Sequence, residues 1–177
     1  DEAKNLLQIP RKQRAVVRKA IEGSLRITID KNLDTFFALY ARTVRDHGTP
    51  VFPKRFLAAV LDTFSDNVDI LTVWRDRHPL ASVCSYYFHD RVYPYYTGSD
   101  PLARECGAND LMYWKLMRHA VSRGCRVFDF GRSKVGTGPY GFKKNWGFEP
   151  RPIAHQYRLI HRDTLPNLNP SNPRFAT

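Results

Sequence analysis

Three β-rich runs follow one another in the middle of the chain, and they constrain the fold more than any other feature of the sequence. They are Val68 to Trp74, Leu80 to Phe88 and Val92 to Thr97, and only short turn-like stretches separate them. Connections this short favour antiparallel neighbours, so the runs predict a three-stranded meander. Because Pro94 cannot donate to a strand ladder, the third strand is expected to bulge or to splay from a neighbour there.

Amphipathic helices flank this meander on both sides. Apolar residues recur at helical spacing from Leu33 to Val44, and Pro53 suits the first turn of a second helix. After the meander, Asn109 can cap a helix that Gly124 ends. The other predicted elements are a basic helix over Pro10 to Ala20, strands over Arg26 to Asp30, Val127 to Phe130 and Ala154 to His161, and a short helix over Pro139 to Gly147. This order predicts an α+β fold with a central mixed, mostly antiparallel sheet flanked by helices.

The composition is that of one folded unit with an excess of positive charge. The 177 residues are 42% hydrophobic, which is enough for one core. The formal net charge of +11 would attract the phosphates of a nucleic acid, a nucleotide or an anionic lipid carrier. The cysteines and histidines lack the spacing of a disulfide framework or a metal site, and the apolar runs are too short to cross a bilayer. We therefore expect no metal, no membrane span and a cytoplasmic location.

The densest chemical information lies between Phe128 and Gly147, in the sequence FDFGRSKVGTGPYGFKKNWG. Glycines in a loop after a strand bring backbone N–H groups close to an anion, and basic side chains add charge. The residues concerned are Gly131, Gly136, Gly138, Arg132, Lys134 and Lys143. The alternative is a solvated loop whose glycines only turn the chain. An ATP-binding phosphate loop is disfavoured, because Thr137 stands where its lysine must be.

The same segment resembles the strand, glycine-rich loop and FK..WG helix of the FemAB-like group, which includes exopolysaccharide-associated members and aminoacyltransferases that extend peptidoglycan precursors. The resemblance covers roughly Pro10 to Ile160. It implies a GNAT-like acyltransferase domain over residues 26–162. The basic helix within residues 1–25 is expected to be a connector, and the composition of residues 163–177, rich in proline and asparagine, predicts a loose tail. Since Fem-type ligases hold two GNAT-like halves side by side, the chain is expected to be the C-terminal half, with the N-terminal half missing from it.

Candidate site residues follow from the resemblance and from residue chemistry. The resemblance implies that Lys143 stabilises the oxyanion of a tetrahedral intermediate. Asp129, a carboxylate in an apolar strand, either accepts a proton from an attacking amine or pairs with Arg132. The candidate substrate-binding residues are Arg132, Ser133, Lys134, Tyr140, Tyr96 and Trp146. For Tyr140 and Trp146, packing is the alternative to stacking on a sugar or base.

The CoA-binding signature of GNAT acetyltransferases, Gln/Arg-x-x-Gly-x-Gly/Ala, is approached by the stretch from Arg104 to Asn109 but missed at its last position. If CoA were used, Arg104, Gly107 and Asn109 would bind it at a helix N-terminus. A plain helix cap is the alternative, because Asn109 adds bulk where a diphosphate must come close. We therefore expect no cofactor and no useful affinity for acetyl-CoA.

The resemblance implies transfer of an activated acyl group, from aminoacyl-tRNA or another activated donor, to an amine of an anionic cell-envelope or exopolysaccharide precursor. An aminoacyl ester is already activated, so positioning and oxyanion stabilisation could supply most of the acceleration. Two alternatives stay open. One is a CoA-dependent GNAT N-acetyltransferase, and the other is a non-catalytic module that grips a nucleic acid or another polyanion through the basic helix and the loop.

Overall fold

A five-stranded sheet forms the centre of the computed structural model, which describes residues 2–161 and 163–165. The strands lie in chain order across the sheet, the first four antiparallel and the fifth parallel to the fourth. They are β1 (Leu25–Asp30), β2 (Val68–Arg75), β3 (His78–Phe88), β4 (Arg91–Ser99) and β5 (Val127–Phe128). The predicted meander corresponds to β2, β3 and β4, and the predicted α+β fold with a mixed, mostly antiparallel sheet is confirmed.

Six α-helices accompany the sheet in the described part of the chain, and the larger ones cover its two faces. They are α1 (Glu2–Gln8), α2 (Arg11–Glu22), α3 (Leu33–Asp46), α4 (Lys54–Phe64), α5 (Ala108–Ser122) and α6 (Gly138–Asn145). Side chains alternate between the faces of a strand, so Ile70 of β2 packs in the core under α3 and α4, whereas Leu71 packs in the core under α2 and α5. The sheet is therefore a middle layer with apolar cores on both sides.

The cap of helix α5 lies two residues earlier than the sequence suggested, at Gly107 instead of Asn109. Gly107, with a φ of 67°, precedes the first helical residue, and Asn109 lies inside the first turn. The predicted cap at Asn109 is wrong, because the left-handed backbone needed to enter this helix is one that glycine adopts without a steric penalty. Gly124, with a φ of 83°, follows the other end of α5 as predicted.

The predicted last strand over Ala154 to His161 is not formed. The residues from 151 to 159 have no regular secondary structure and are exposed. An alternating sequence forms a strand only where a neighbouring strand offers free ladder groups, and β5 itself pairs over just two residues. The predicted tail falls largely on residues 166–177, which lie outside the described residues. Within the described part of the chain, no helix has the length and apolarity that crossing a membrane requires.

Candidate active site

The two parallel strands part shortly after they meet, and the loop that follows β5 begins there. Their last backbone bond runs from Asp129 N to the Val92 carbonyl, at 3.0 Å. The next bond of a parallel ladder would come from the backbone nitrogen of residue 94, and Pro94 has no N–H. The register between β3 and β4 also shifts at this point, so that Tyr95 is an extra residue in β4. The bulge expected at Pro94 is confirmed. Residues 94–99 of β4 continue without a partner from β5, and we call the gap between these residues and the loop after β5 the β4–β5 cleft.

Lys143 of α6 fixes the start of the loop that leaves β5. Its Nζ donates to the carbonyl oxygens of Phe130 at 2.5 Å, Gly131 at 3.1 Å and Arg132 at 3.2 Å. An ammonium has three protons, so these bonds occupy all of them. Burial lowers the pKa of Lys143, and the negative charge of Asp129 opposes that shift. The lysine therefore organises three successive backbone carbonyls and sets a positive charge beside the carboxylate.

Asp129 caps the turn that the lysine holds. Its Oδ1 accepts a hydrogen bond from Gly131 N at 2.8 Å, and Gly131 has a φ of 65°. No ion pair joins Asp129 to Arg132 among the described residues. The carboxylate thus shapes the loop, and among the described residues it forms an ion pair with neither Arg132 nor Lys143, although its charge acts on the pKa of Lys143.

The remaining loop residues differ in exposure. Arg132 and Lys134 are exposed, Tyr140 is half-buried, and the buried Ser133 Oγ has no hydrogen-bond partner in the described part of the chain. The Thr137 hydroxyl donates to the Lys134 carbonyl at 2.7 Å, at the entry to α6. The loop is held at both ends by its own hydrogen bonds, and its two cations are free to meet an anion.

Two predicted substrate-binding aromatics lie away from this loop. Trp146 is only 4% exposed and its indole N–H donates to Asp110 Oδ1 at 3.2 Å, so it packs in the core, and its assignment to substrate binding is corrected. Tyr96 is half-buried on the other face of the sheet, where its ring meets those of Tyr40, Phe52 and Tyr86. Among the described contacts, none joins Tyr96 to Lys143 or to the loop.

The sequence reasoning missed a carboxylate at the start of α5. Asp110 receives hydrogen bonds from the Gln13 side chain of α2 and from the Trp146 indole. Burial raises the pKa of Asp110 to about 6, and the hydrogen bond from Trp146 opposes the rise. An acidic residue in the first turn of a predicted helix was the available signal, but it is also the commonest way to complement a helix dipole.

A second missed group links β2, β3 and the end of α5. Asp69 accepts hydrogen bonds from the Tyr87 hydroxyl at 3.0 Å and pairs with His119 Nε2 at 2.9 Å and Arg123 at 3.5 Å. A carboxylate inside the apolar run of β2 was its only signal in the sequence. These residues lie near the end where β4 and β5 are paired, and both oxygens of the Asp69 carboxylate have partners. The group therefore holds β2, β3 and α5 together and does not line the β4–β5 cleft.

The raised pKa of Asp110 predicts a pH dependence of stability. Its pKa is about 6 in the folded protein and about 4 in an unfolded chain, so protonation stabilises the fold. That contribution is complete below about pH 4 and is lost as the pH rises through about 6. We expect the melting temperature of the wild type, relative to that of Asp110→Asn, to fall between pH 4.5 and 7 and to level off above that. A difference that is independent of pH would contradict the assignment.

The described residues form an α+β domain, in which helices cover both faces of a mixed sheet and two parallel strands part over a loop of basic residues. The model of the acetyltransferase (GNAT) domain family matches residues 8–144. The chain belongs to this family, which confirms the GNAT-like fold that the resemblance implied. A search of curated proteins finds no match.

Several solved structures share the fold at low sequence identity. FemX superposes with a TM-score of 0.76 at 15% identity, over 83% of this chain and 56% of FemX. The aminoglycoside acetyltransferase meta-AAC0020, from an uncultured soil metagenomic sample and bound to sisomicin, gives 0.62 at 14% identity, over 79% of this chain and 99% of the other. Aminoglycoside N-acetyltransferase AAC(6')-Iy in complex with CoA superposes with a TM-score of 0.61 at 17% identity, over 76% of this chain and 94% of the other. The chain therefore spans little more than half the length of FemX, and these likenesses establish the fold alone.

Proposed function

We propose that this GNAT domain transfers an activated aminoacyl group to an amine of an anionic cell-envelope or exopolysaccharide precursor, as part of a FemAB-like protein. Membership in the GNAT family supports acyl transfer in general. The finer assignment is supported by the FK..WG segment and by the extent of the structural likeness to FemX. The observation that carries it is the position of the Lys143 ammonium, which holds the loop at the point where β4 and β5 part.

In the proposed reaction, the acceptor amine attacks the carbonyl carbon of an aminoacyl ester, and a tetrahedral intermediate with a negatively charged oxygen forms. Lys143 stabilises this oxygen by giving up one of its hydrogen bonds to a loop carbonyl and donating that proton to the negatively charged oxygen. The bonds to Gly131 and Arg132, at 3.1 and 3.2 Å, are longer than the 2.5 Å bond to Phe130 and are the ones to be exchanged. Phe130 would then keep the ammonium in place throughout.

The proton of the attacking amine needs an acceptor, and we assign this role to Asp129. Its Oδ1 receives the Gly131 N–H, which leaves Oδ2 for the amine proton. The ester oxygen leaves as the intermediate collapses to the amide, and Asp129 returns the proton it accepted to that oxygen, which departs as an alcohol. Arg132 and Lys134, both exposed on the loop, would hold the phosphates of the donor or of the acceptor, with Ser133 and Tyr140 beside them.

A transfer assay with the natural full-length protein tests this proposal. The donors are tRNA charged with a radiolabelled amino acid and radiolabelled acetyl-CoA, and the acceptors are amine-bearing nucleotide-linked envelope precursors. We expect label to move from the charged tRNA to the acceptor, and only when the acceptor carries a free amine. Acetylation from acetyl-CoA without transfer from tRNA would instead support the CoA-dependent alternative. The reason to test that alternative is that one structural neighbour, AAC(6')-Iy, was solved in complex with CoA. A cytoplasmic location and a preceding GNAT-like half stay predictions.

A further inference from the structure

The start of α5, where a GNAT domain would hold a CoA diphosphate on backbone N–H groups, is covered by α2. A Cβ added at Gly107 would lie 3.0 Å from Val16 Cγ1 and 3.4 Å from Ala20 Cβ. Val17 and Ala20, on the same side of α2, are buried in the core that α5 shares. There is scarcely room for one methyl group between the two helices, and a diphosphate is far larger.

A hydrogen bond and a close packing contact hold α2 in this position. Gln13 donates its side-chain N–H to Asp110 Oδ1, the same oxygen that receives the Trp146 indole N–H at 3.2 Å. The ring of Pro10 lies 3.2 Å from the position that a Cβ would take at Gly147, just beyond α6. The beginning of α2 is therefore seated on the end of α6, and its middle on the start of α5.

The charge at the start of α5 also disfavours a diphosphate. The N-terminus of a helix attracts anions because its first N–H groups are unpaired and its dipole is positive there. In this protein the Asp110 carboxylate already supplies a negative charge within the first turn of α5. A bound diphosphate would meet that charge as well as the covering helix.

We propose that α2 occupies the diphosphate position of a CoA thioester, so that this GNAT domain accepts its acyl group from a donor that places no diphosphate at the start of α5. The packed surface consists of Gln13, Val16 and Ala20 of α2 against Gly107 and Asp110, with Val16 at its partly exposed edge. This surface selects the class of acyl donor because it excludes donors that must place a diphosphate at the start of α5. The inference rests on the proposed function only for the identity of the donor that is used instead.

A double-mutant cycle tests whether α2 is seated on Gly107 in solution. Gly107→Ala and Gly124→Ala both put a side chain on a left-handed backbone, but a Cβ at Gly124 would have nothing within 4 Å. Because Val16 is β-branched and held in a helix, we expect Gly107→Ala to lower the melting temperature by roughly 2–4 °C more than Gly124→Ala. Adding Val16→Ala should recover part of this excess. Equal losses for the two glycine variants, with no recovery, would overturn the proposal.

Calorimetric titration with acetyl-CoA tests the exclusion itself. We expect no saturable binding by the wild type in the low micromolar range, whereas binding in that range that Gly107→Val weakens would refute the inference. The assay with charged tRNA separates this outcome from the fate of the proposed function. Saturable acetyl-CoA binding together with transfer from tRNA removes the inference alone, and absent acetyl-CoA binding together with no transfer from tRNA removes the proposed function alone.

Discussion

Replacing Lys143 by alanine is expected to reduce acyl transfer by at least about 100-fold, the effect of losing one donor to an oxyanion. The same change should lower the free energy of unfolding by about 1–3 kcal/mol, because three loop carbonyls lose their shared donor. A surface lysine would contribute little to stability, so the two effects together distinguish the observed position from a solvated one. Transfer rates and urea unfolding of the purified variant measure them.

Lys144 provides a matched control for this experiment. It follows Lys143 in α6 and is exposed, and its side chain makes no hydrogen bond or ion pair among the described residues. Lys144→Ala should change neither transfer nor stability by a measurable amount. Lys143→Met keeps the aliphatic stem and removes the donors, so it should lose activity as alanine does. Turnover that survives in both Lys143 variants would mean that the lysine has no part in the reaction.

Gly98→Ala is expected to destabilise the protein by about 3 kcal/mol or more, the upper end of what overpacking a core costs. A Cβ at this position would lie 2.3 Å from Tyr40 N and 2.4 Å from the Leu39 carbonyl carbon. Both atoms belong to the backbone of α3, which rests directly on β4 and cannot move without leaving the sheet. Denaturant unfolding monitored by circular dichroism would show a large fall in the midpoint.

A glycine in α6 gives the comparison. A Cβ at Gly141 would have nothing within 4 Å, and the residue lies inside the helix. Gly141→Ala should therefore stabilise the protein by about 0.5–1 kcal/mol, since alanine loses less conformational freedom in a helix than glycine does. If both alanine variants behaved alike, the close approach of α3 to β4 would not exist in solution.

Local patterns were sufficient to predict much of the fold. The meander and helices α3 and α4 were predicted because hydrophobic periodicity follows from which face an element buries. Pro94 was predictable as a point of distortion because a missing N–H is a property of the residue itself. The last strand was predicted wrongly because alternation in the sequence does not reveal whether a sheet edge is free to receive it.

The candidate site could be proposed from the sequence, but its contacts could not be predicted. The FK..WG segment pointed to Lys143, and a carboxylate within an apolar strand pointed to Asp129; in the structure both side chains bond to Gly131. Lys143 donates all three of its ammonium protons to the loop because α6 folds back over that loop. No local sequence pattern specifies this packing. The contact between Val16 and Gly107 joins residues far apart in the chain, and the burial of Trp146 depends on the same arrangement.

The seating of α2 has a consequence for the order in which the protein folds. Its inner face meets Gly107, Asp110 and Gly147, and all of these follow it by more than 80 residues in the chain. During synthesis at 5–20 residues per second, α2 leaves the ribosome roughly 5–25 s before its last partner exists. Over that interval the part of α2 that packs on α5 and on the end of α6 has no native surface to cover, although the sheet face beneath α2 is made earlier. The helix that comes early in this sequence is thus among the last to reach its final position.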